Sequence, residues 1–238
     1  MIRNLKALGL ALCAVFALSA VAASGASAGV ETDLFTTGAA TTHLTGIQTG
    51  GPEDNVFGTK SSAVTVQCEE GIYKGTTGAT AESVTVKPEY KKCTGGGFNA
   101  TVDVNPNCAF ILTGTTDTYF DTNNVHKGLD ATASLECSHN GNIRITAALG
   151  CTITFSDTSG GNTVNQNRLG VKYTNGVSGG KWDVKVDVTV DNIHYTTTES
   201  CGFFGLPATG NDGFLTETVT VKGYSDAAHT NQVDVTVS

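Results

Sequence analysis

From Lys181 to Asn192 the chain reads KWDVKVDVTVDN, in which apolar Trp182, Val184, Val186, Val188 and Val190 alternate with Asp183, Lys185, Asp187 and Thr189. A period of two residues is that of a β-strand with one buried and one wetted face. The alternation recurs in AVTVQC, SVTVKPEY, ATVDVN, CAFILTG, TASLEC, NIRITAA, CTITFS, LGVKYTN, IHYTTTES, ETVTVKGY and QVDVTVS. The breaks between these runs are rich in Gly, Asn, Asp and Ser, as in KKCTGGGFN, SDTSGGNTVNQN and TNGVSGGK. About a dozen short strands at this spacing predict an all-β, antiparallel, sandwich-like fold of two packed sheets. The expected β domain covers residues 62–238, with residues 29–61 a looser N-terminal segment joining it. Two pseudo-repeated halves meeting near residues 121–130, around TNNVHKGLD, are the alternative arrangement.

That alternative rests on internal similarity. Residues 68–90, CEEGIYKGTTGATAESVTVKPEY, and residues 201–224, CGFFGLPATGNDGFLTETVTVKGY, both run from a cysteine through a glycine-broken stretch to E-[ST]-V-T-V-K and a tyrosine. Within the second copy, Leu206 to Gly210 spells L-P-x-T-G, the sorting signal cut when secreted proteins are fixed to a bacterial wall. The comparison places GLPATG opposite GTTGAT, a surface loop, and Pro207 and Gly210 are ordinary turn residues. No apolar stretch and basic tail follow, so the motif reads as a turn and not as an anchor.

Composition sharpens the class. After residue 28 the chain holds 37 threonines and 21 valines against nine leucines and no methionine, a balance that favours strands over helices. The first 28 residues have basic Arg3 and Lys6, an apolar run from Ala7 to Ala23, and Ala26-Ser27-Ala28 as a cleavage site, which predicts a signal peptide and an exported protein beginning at Gly29. No other stretch approaches the roughly 20 apolar residues of a membrane helix, so no membrane span is expected after cleavage. Without Arg3 and Lys6, 12 Lys+Arg face 22 Asp+Glu, a net charge of −10, which excludes nucleic acid as a partner.

With Cys13 in the leader, six cysteines remain: Cys68, Cys93, Cys108, Cys137, Cys151 and Cys201. An even number in an exported chain predicts disulfides, and the absence of C-x-x-C argues against zinc. Many pairings are open. Chain order is the simplest: Cys68 with Cys93, Cys108 with Cys137, and Cys151 with Cys201.

Candidate chemistry is spelled in several places. Gly176 to Gly180, GVSGG, fits the G-x-S-x-G nucleophile elbow around Ser178, but a strand follows where the elbow needs a helix, so it reads as a hairpin loop opened by Asn175-Gly176. Asp103, Asn105 and Asn107 imitate the start of a calcium loop that lacks its glycine and its glutamate. Asp121, Asn123, Asn124 and Asp130, and Asp157 with Asn162, read as turn chemistry. His43, His126, His139, His194 and His229 form no ligand motif, and adjacent Glu69 and Glu70 would point to opposite faces of a strand. No metal site, cofactor or catalytic set is expected.

The leader, the six-cysteine layout, VTVKPEYKKC, ATVDVNPNCAF, VKYTNG and ETVTVKGYSD together resemble a group of uncharacterised secreted six-cysteine β-rich proteins of soil actinobacteria. The resemblance spans nearly the whole chain, although the closing QVDVTVS departs from that group's more apolar, aromatic ending. It implies an exported, disulfide-bonded β protein and brings no activity or binding residues with it.

The expected function is therefore that of a secreted, non-catalytic extracellular or cell-surface protein, structural or binding an extracellular ligand such as carbohydrate or a cell-envelope component. Stacking platforms would come from Tyr73, Tyr119 or Tyr195, because Trp182 falls on the apolar face of its strand. The row Thr216, Thr218 and Thr220 is the solvent side of a strand. The alternative is a secreted hydrolase whose site is assembled from distant strands and loops.

Overall fold

The computed structural model describes residues 35–62, 65–120, 126–138, 141–155 and 166–237. The expected signal peptide, His139, Asp121, Asn123, Asn124, Asp157 and Asn162 lie outside the described residues, as do the side chains of Tyr119, His126 and Asp130. The strands are β1 (Phe35–Gln48), β2 (Asn55–Thr59), β3 (Thr65–Ala81), β4 (Ser83–Gly95), β5 (Phe98–Val104), β6 (Cys108–Phe120) and β7 (His126–Cys137). They continue as β8 (Ile143–Thr146), β9 (Thr152–Phe155), β10 (Gln166–Ser178), β11 (Lys181–Thr197), β12 (Thr209–Tyr224), β13 (Gln232–Val233) and β14 (Val235–Val237). The fold is all-β and antiparallel, as the alternation predicts.

Hydrogen bonding joins the strands into one continuous sheet rather than two separate ones, and that sheet closes on itself twice. One circuit of eight strands runs β1-β3-β4-β6-β7-β10-β11-β12 and back to β1. A second circuit of eight runs β2-β3-β4-β5-β8-β9-β11-β12 and back to β2. The long strands β3, β4, β11 and β12 belong to both. Each changes neighbours part-way along: β12 pairs β2 through Glu217 and β1 from Val219 onward. The result is one elongated barrel, two circuits deep. Strands on either side of residues 121–125 share this barrel, and β6 and β7 pair with each other across that gap.

Closure explains why residues 35–61, expected to be looser, are integral. β1 bridges β3 and β12, and β2 bridges the same two strands in the second circuit. Their inward positions carry few large apolar groups: Thr37 and Thr42 are buried, and the Thr42 hydroxyl lies 2.9 Å from that of Thr37. IHYTTTES is likewise no separate strand. It is the end of β11, whose inward phase shifts at a bulge after Val190, where Asn192 takes φ +57°.

Eight strands leave an interior that side chains can fill. Tyr173, Val171, Val184, Val186 and Val188 fill the first circuit, and Ile143, Ile145, Phe155, Ile193 and Tyr195 fill the second; all are buried. Outward positions on β3, β4 and β11 carry Lys74, Lys87, Lys185 and Thr189. An apolar inside and a charged outside is the reverse of a lipid-facing barrel. Trp182 shares the inward phase of β11 but sits at its beginning, past the packed core, and is half-exposed.

The C-terminal strands close the free end of the first circuit. β14 pairs with Phe35–Thr37 of β1, and Val235 and Val237 are buried. On its other side the Asn175 side chain acts as a substitute strand: its Nδ2 donates to the Val237 carbonyl at 2.8 Å, and its Oδ1 accepts from the Val237 N–H at 2.9 Å. The edge of β14 is thus satisfied without another strand. The hairpin turn read at Asn175-Gly176 falls instead at Gly179-Gly180, with φ of +63° and +78° and Ser178 paired to Lys181. That two-residue turn needs positive φ at both positions, which glycine supplies without steric cost.

Three disulfides pair in chain order. Cys68–Cys93 and Cys108–Cys137 each tie residues directly opposite across β3–β4 and β6–β7. Cys151–Cys201 joins two short 3-10 segments, Ala148–Gly150 and Glu199–Phe204, at the end of the second circuit. It therefore links β8 and β9 to β11 and β12, which no local hairpin does. Its separation of 50 residues is the longest of the three. A loop of that length contributes about 4 kcal/mol through restriction of the unfolded chain. The variant Cys151→Ala/Cys201→Ala should lose stability of that order in chemical denaturation. It should also admit protease first between residues 148 and 208, whereas loss of Cys68–Cys93 should leave that end protected.

Candidate functional site

The barrel interior is the first place to look for a site, and among the described residues it is packed. Two cavities bordered by described residues are about 20 Å³ and about 10 Å³, the first beside Tyr73 and Glu217 and the second beside Phe57, Ile143 and Phe155. The larger has room for a single water. No ligand chamber opens among the described residues of either circuit.

The interior does contain a buried polar cluster at the level where β1 gives way to β2. Asn55 Nδ2 donates to Gln48 Oε1 at 3.0 Å, and Gln48 Nε2 donates to the carbonyls of Gly51 and Cys68 at 2.9 and 3.1 Å. Beside them the Tyr90 hydroxyl donates to Glu217 Oε1, and the Tyr73 ring packs edge-on to Tyr90 at 6.0 Å. Burial pushes the Glu217 carboxyl up to about 7, against the lowering effect of the hydrogen bond from Tyr90 and of the nearby Tyr73 hydroxyl. Burial, and then the charge of Glu217, drive both tyrosine hydroxyls well above their usual range. Sequence reading missed Glu217, yet Leu215, Glu217, Val219 and Val221 share one phase, so a carboxylate in step with the apolar face was the available signal. Glu82, its counterpart in ESVTVK, sits at the break between β3 and β4 and is exposed.

Tyr73 and Tyr195, expected as stacking platforms, are both buried inside the barrel. Tyr195 takes part in a clasp between β2 and β12. Its hydroxyl donates to Asp212 Oδ1 at 3.0 Å, Ser61 Oγ lies 3.4 Å away, and the Ser61 N–H donates to Asp212 Oδ2 at 2.6 Å. Burial raises the Tyr195 hydroxyl above its ordinary value, so it donates hydrogen bonds and does not serve as a base for Ser61. His194 bonds Thr209 instead, at 3.1 Å.

The other spelled motifs are structural. Ser178 ends β10 at the hairpin turn. Asp103 stands 4.0 Å from Arg144, and Asn105 Oδ1 accepts from the Asn107 N–H at 2.9 Å, closing an Asx turn. Among the described residues no group of three or more His, Cys, Asp or Glu is arranged to hold a metal ion. Leu206 is buried, Thr209 begins β12 opposite Thr196, and Gly210 lies so close to the Tyr195 ring that a Cβ would meet it at 2.4 Å. LPATG is thus a turn over residues 206–208 that runs into the first residues of β12. Its counterpart GTTGAT is a stretch of β3 and not the surface loop that the internal comparison implies. Glu69 and Glu70 are also displaced from expectation. The β3–β4 ladder is interrupted there, neither side chain is buried, and Glu70 pairs with Lys92, whose φ is +54°.

A concavity of about 670 Å³ opens on the outer face of β1, β3 and β4, lined by His43, Lys74, Thr76, Thr85, Lys87 and His229 with nearby backbone. Strand register builds its floor. Lys222, Thr45, Lys74 and Lys87 stand directly opposite one another across β12, β1, β3 and β4, and Tyr224, His43 and Thr76 form the next row. One wall is the turn over residues 225–231. There the Asp226 carboxylate accepts N–H groups from Thr230 and Asn231 at 2.8 to 3.2 Å, which hold it below the usual carboxylate range. This turn places His229, at φ +57°, flat against the Tyr224 ring at 4.9 Å and with Nδ1 3.1 Å from Thr45 Oγ1. On the opposite side, Lys87 Nζ donates to the Pro106 carbonyl at 3.0 Å. Tyr224, half-buried, is the aromatic surface that sequence reading did not single out.

No family model matches the chain, and no curated protein or solved structure matches it either. No helix among the described residues is long and apolar enough to cross a membrane, and the three disulfides fit an oxidising compartment.

Glu217 supplies a sign-specific test. Its folded pKa of about 7 lies above the ordinary value of 4.5, so the folded state binds the extra proton between those values and stability falls as pH rises through that window. The total is about 3 kcal/mol at about 1.4 kcal/mol per unit. Denaturation of wild type and Glu217→Gln should differ by a constant amount below pH 4.5. The variant should then gain steadily on wild type up to about pH 7 and hold its advantage above it.

Proposed function

We propose that the chain is an exported, non-catalytic binding protein whose ligand lies in the basin formed by β1, β3 and β4. One observation carries this reading: among the described residues the barrel interior is filled, whereas the outer basin of about 670 Å³ has the size of a ligand site and a lining rich in hydrogen-bonding groups. Its floor rides on the middle of a closed sheet and its wall is fixed by Asp226, so binding costs little ordering. Threonine hydroxyls, lysine and histidine nitrogens, and the Tyr224–His229 stack suit a polyhydroxylated ligand, which makes carbohydrate from the envelope or the surroundings the leading class. The leader and the disulfides support export. At the Ser61 clasp the Asp212 carboxylate is taken up by the Tyr195 hydroxyl and the Ser61 N–H and held below the usual carboxylate range, which makes it a structural tie and a weak base.

Amide NMR of the labelled protein against a panel of plant and microbial oligosaccharides tests this. Resonances at residues 43–45, 74–76, 85–87 and 224–229 should shift together, with no release of reducing ends. Turnover of any panel member, or shifts clustered on another face, would overturn the reading.

A further inference from the structure

We infer that the basin recognises an anionic saccharide chain through repeated carboxylates, an inference that rests on the basin being the binding site. The chain as a whole is acidic, with 22 Asp+Glu against 14 Lys+Arg, yet the residues lining the basin include two lysines and two histidines and no carboxylate. Among the described residues, Asp226 and Glu89 stand near it, the first engaged in its own loop and the second shared between Lys91 and Lys74. Asp226 is turned into its own loop by Thr230 and Asn231. Glu89 sits 2.9 Å from Lys91 and farther, 3.6 Å, from Lys74. The local field is therefore positive on a surface that elsewhere repels anions, which confines an anionic ligand to this face.

The cations are arranged as a row rather than a point. Lys74 and Lys87 are directly opposite on neighbouring strands, and Lys222 continues the row beyond Thr45. Neighbouring strands lie about 4.8 Å apart, so Lys74 and Lys87 stand one strand apart in the basin, and Lys222, whose Nζ is 3.4 Å from Ser178 Oγ, stands two strands beyond Lys74 at its margin. A single small anion would use one member of such a row, whereas a polymer with a charge on successive units uses several. Thr76, Thr85 and the Tyr224–His229 stack flank the row and supply hydroxyl and ring contacts for the sugar units between charges. Among macromolecular polyanions, nucleic acid fits poorly, because the strong negative balance of the remaining surface opposes a long, densely charged duplex.

Calorimetric titration with trigalacturonate, its neutral counterpart galactotriose, and inorganic phosphate tests the inference at low and high salt. Trigalacturonate should bind, weaken as salt rises, and exceed both galactotriose and phosphate by roughly tenfold or more in affinity. The pair Lys74→Gln/Lys87→Gln should lose roughly tenfold, Lys185→Gln on another strand should change nothing, and Glu89→Gln should tighten binding by freeing Lys74. Equal binding of galactotriose, insensitive to the lysine pair but lost in Tyr224→Ala, would overturn the anionic inference and leave the basin as the site. Equal binding of phosphate would also overturn it, since a lone anion would then suffice. Failure of trigalacturonate to bind overturns it as well, and the oligosaccharide panel then decides separately whether the basin binds at all.

Discussion

The Asn55–Gln48 and Glu217–Tyr90 contacts occupy the level at which four long strands exchange neighbours, and both circuits depend on that exchange. β1 must end and β2 must begin against the same two strands, which leaves backbone and side-chain polar groups inside the barrel. Gln48 answers this by taking the carbonyls of Gly51 and Cys68, and Asn55 locks to Gln48 in turn. Glu217 stands opposite Asn55 in the ladder and is buried with Tyr90. Buried polar groups of this kind contribute little net stability but penalise any other register, because a slip of one residue would leave each without its partner. The same level carries the interruption at Glu69 and the bulge at Asn192, so the long strands bend where their neighbours change.

The strands with Val, Ile or Tyr at every second position were legible in the sequence, because burial of one face leaves a period of two. β1 was not: its inward positions include Thr37, Thr42 and Gly46, whose burial rests on hydrogen bonds and close backbone approach rather than on apolar area. IHYTTTES read as a separate strand because the bulge at Asn192 reverses the phase within β11. Closure itself leaves no trace in periodicity, since an inward residue looks alike in a sandwich and a barrel.

The candidate site was illegible for a related reason. Lys74, Lys87, His43 and His229 come from four separate stretches, and each alone is an ordinary outward residue or turn residue. Only the register of β1, β3 and β4 makes a row of them. The tyrosines followed the opposite course: Tyr73 and Tyr195 carry a polar tip that suits a surface, yet their hydroxyls are turned inside, toward Glu217 and Asp212. Tyr224, near the end of β12, stays outside because the turn that follows brings His229 onto its face.

The pairing of β1 with β12 and β14 bears on the order in which the protein can form. Hairpins such as β3–β4 and β10–β11 close as soon as their own residues are available, and β1 finds β3 nearby, but its other edge waits for partners about 180 residues downstream, and long loops of this kind are slow to close. Until residues 219–237 arrive, one side of β1 has only β3 beside it, the other side has no partner, and the first circuit stays an open sheet. Synthesis alone thus cannot finish the molecule from its N-terminal side. A chain that remains unclosed until its last strand is delivered keeps the edges of β1 and β12 bare while it forms, and gains its full shape in one late step.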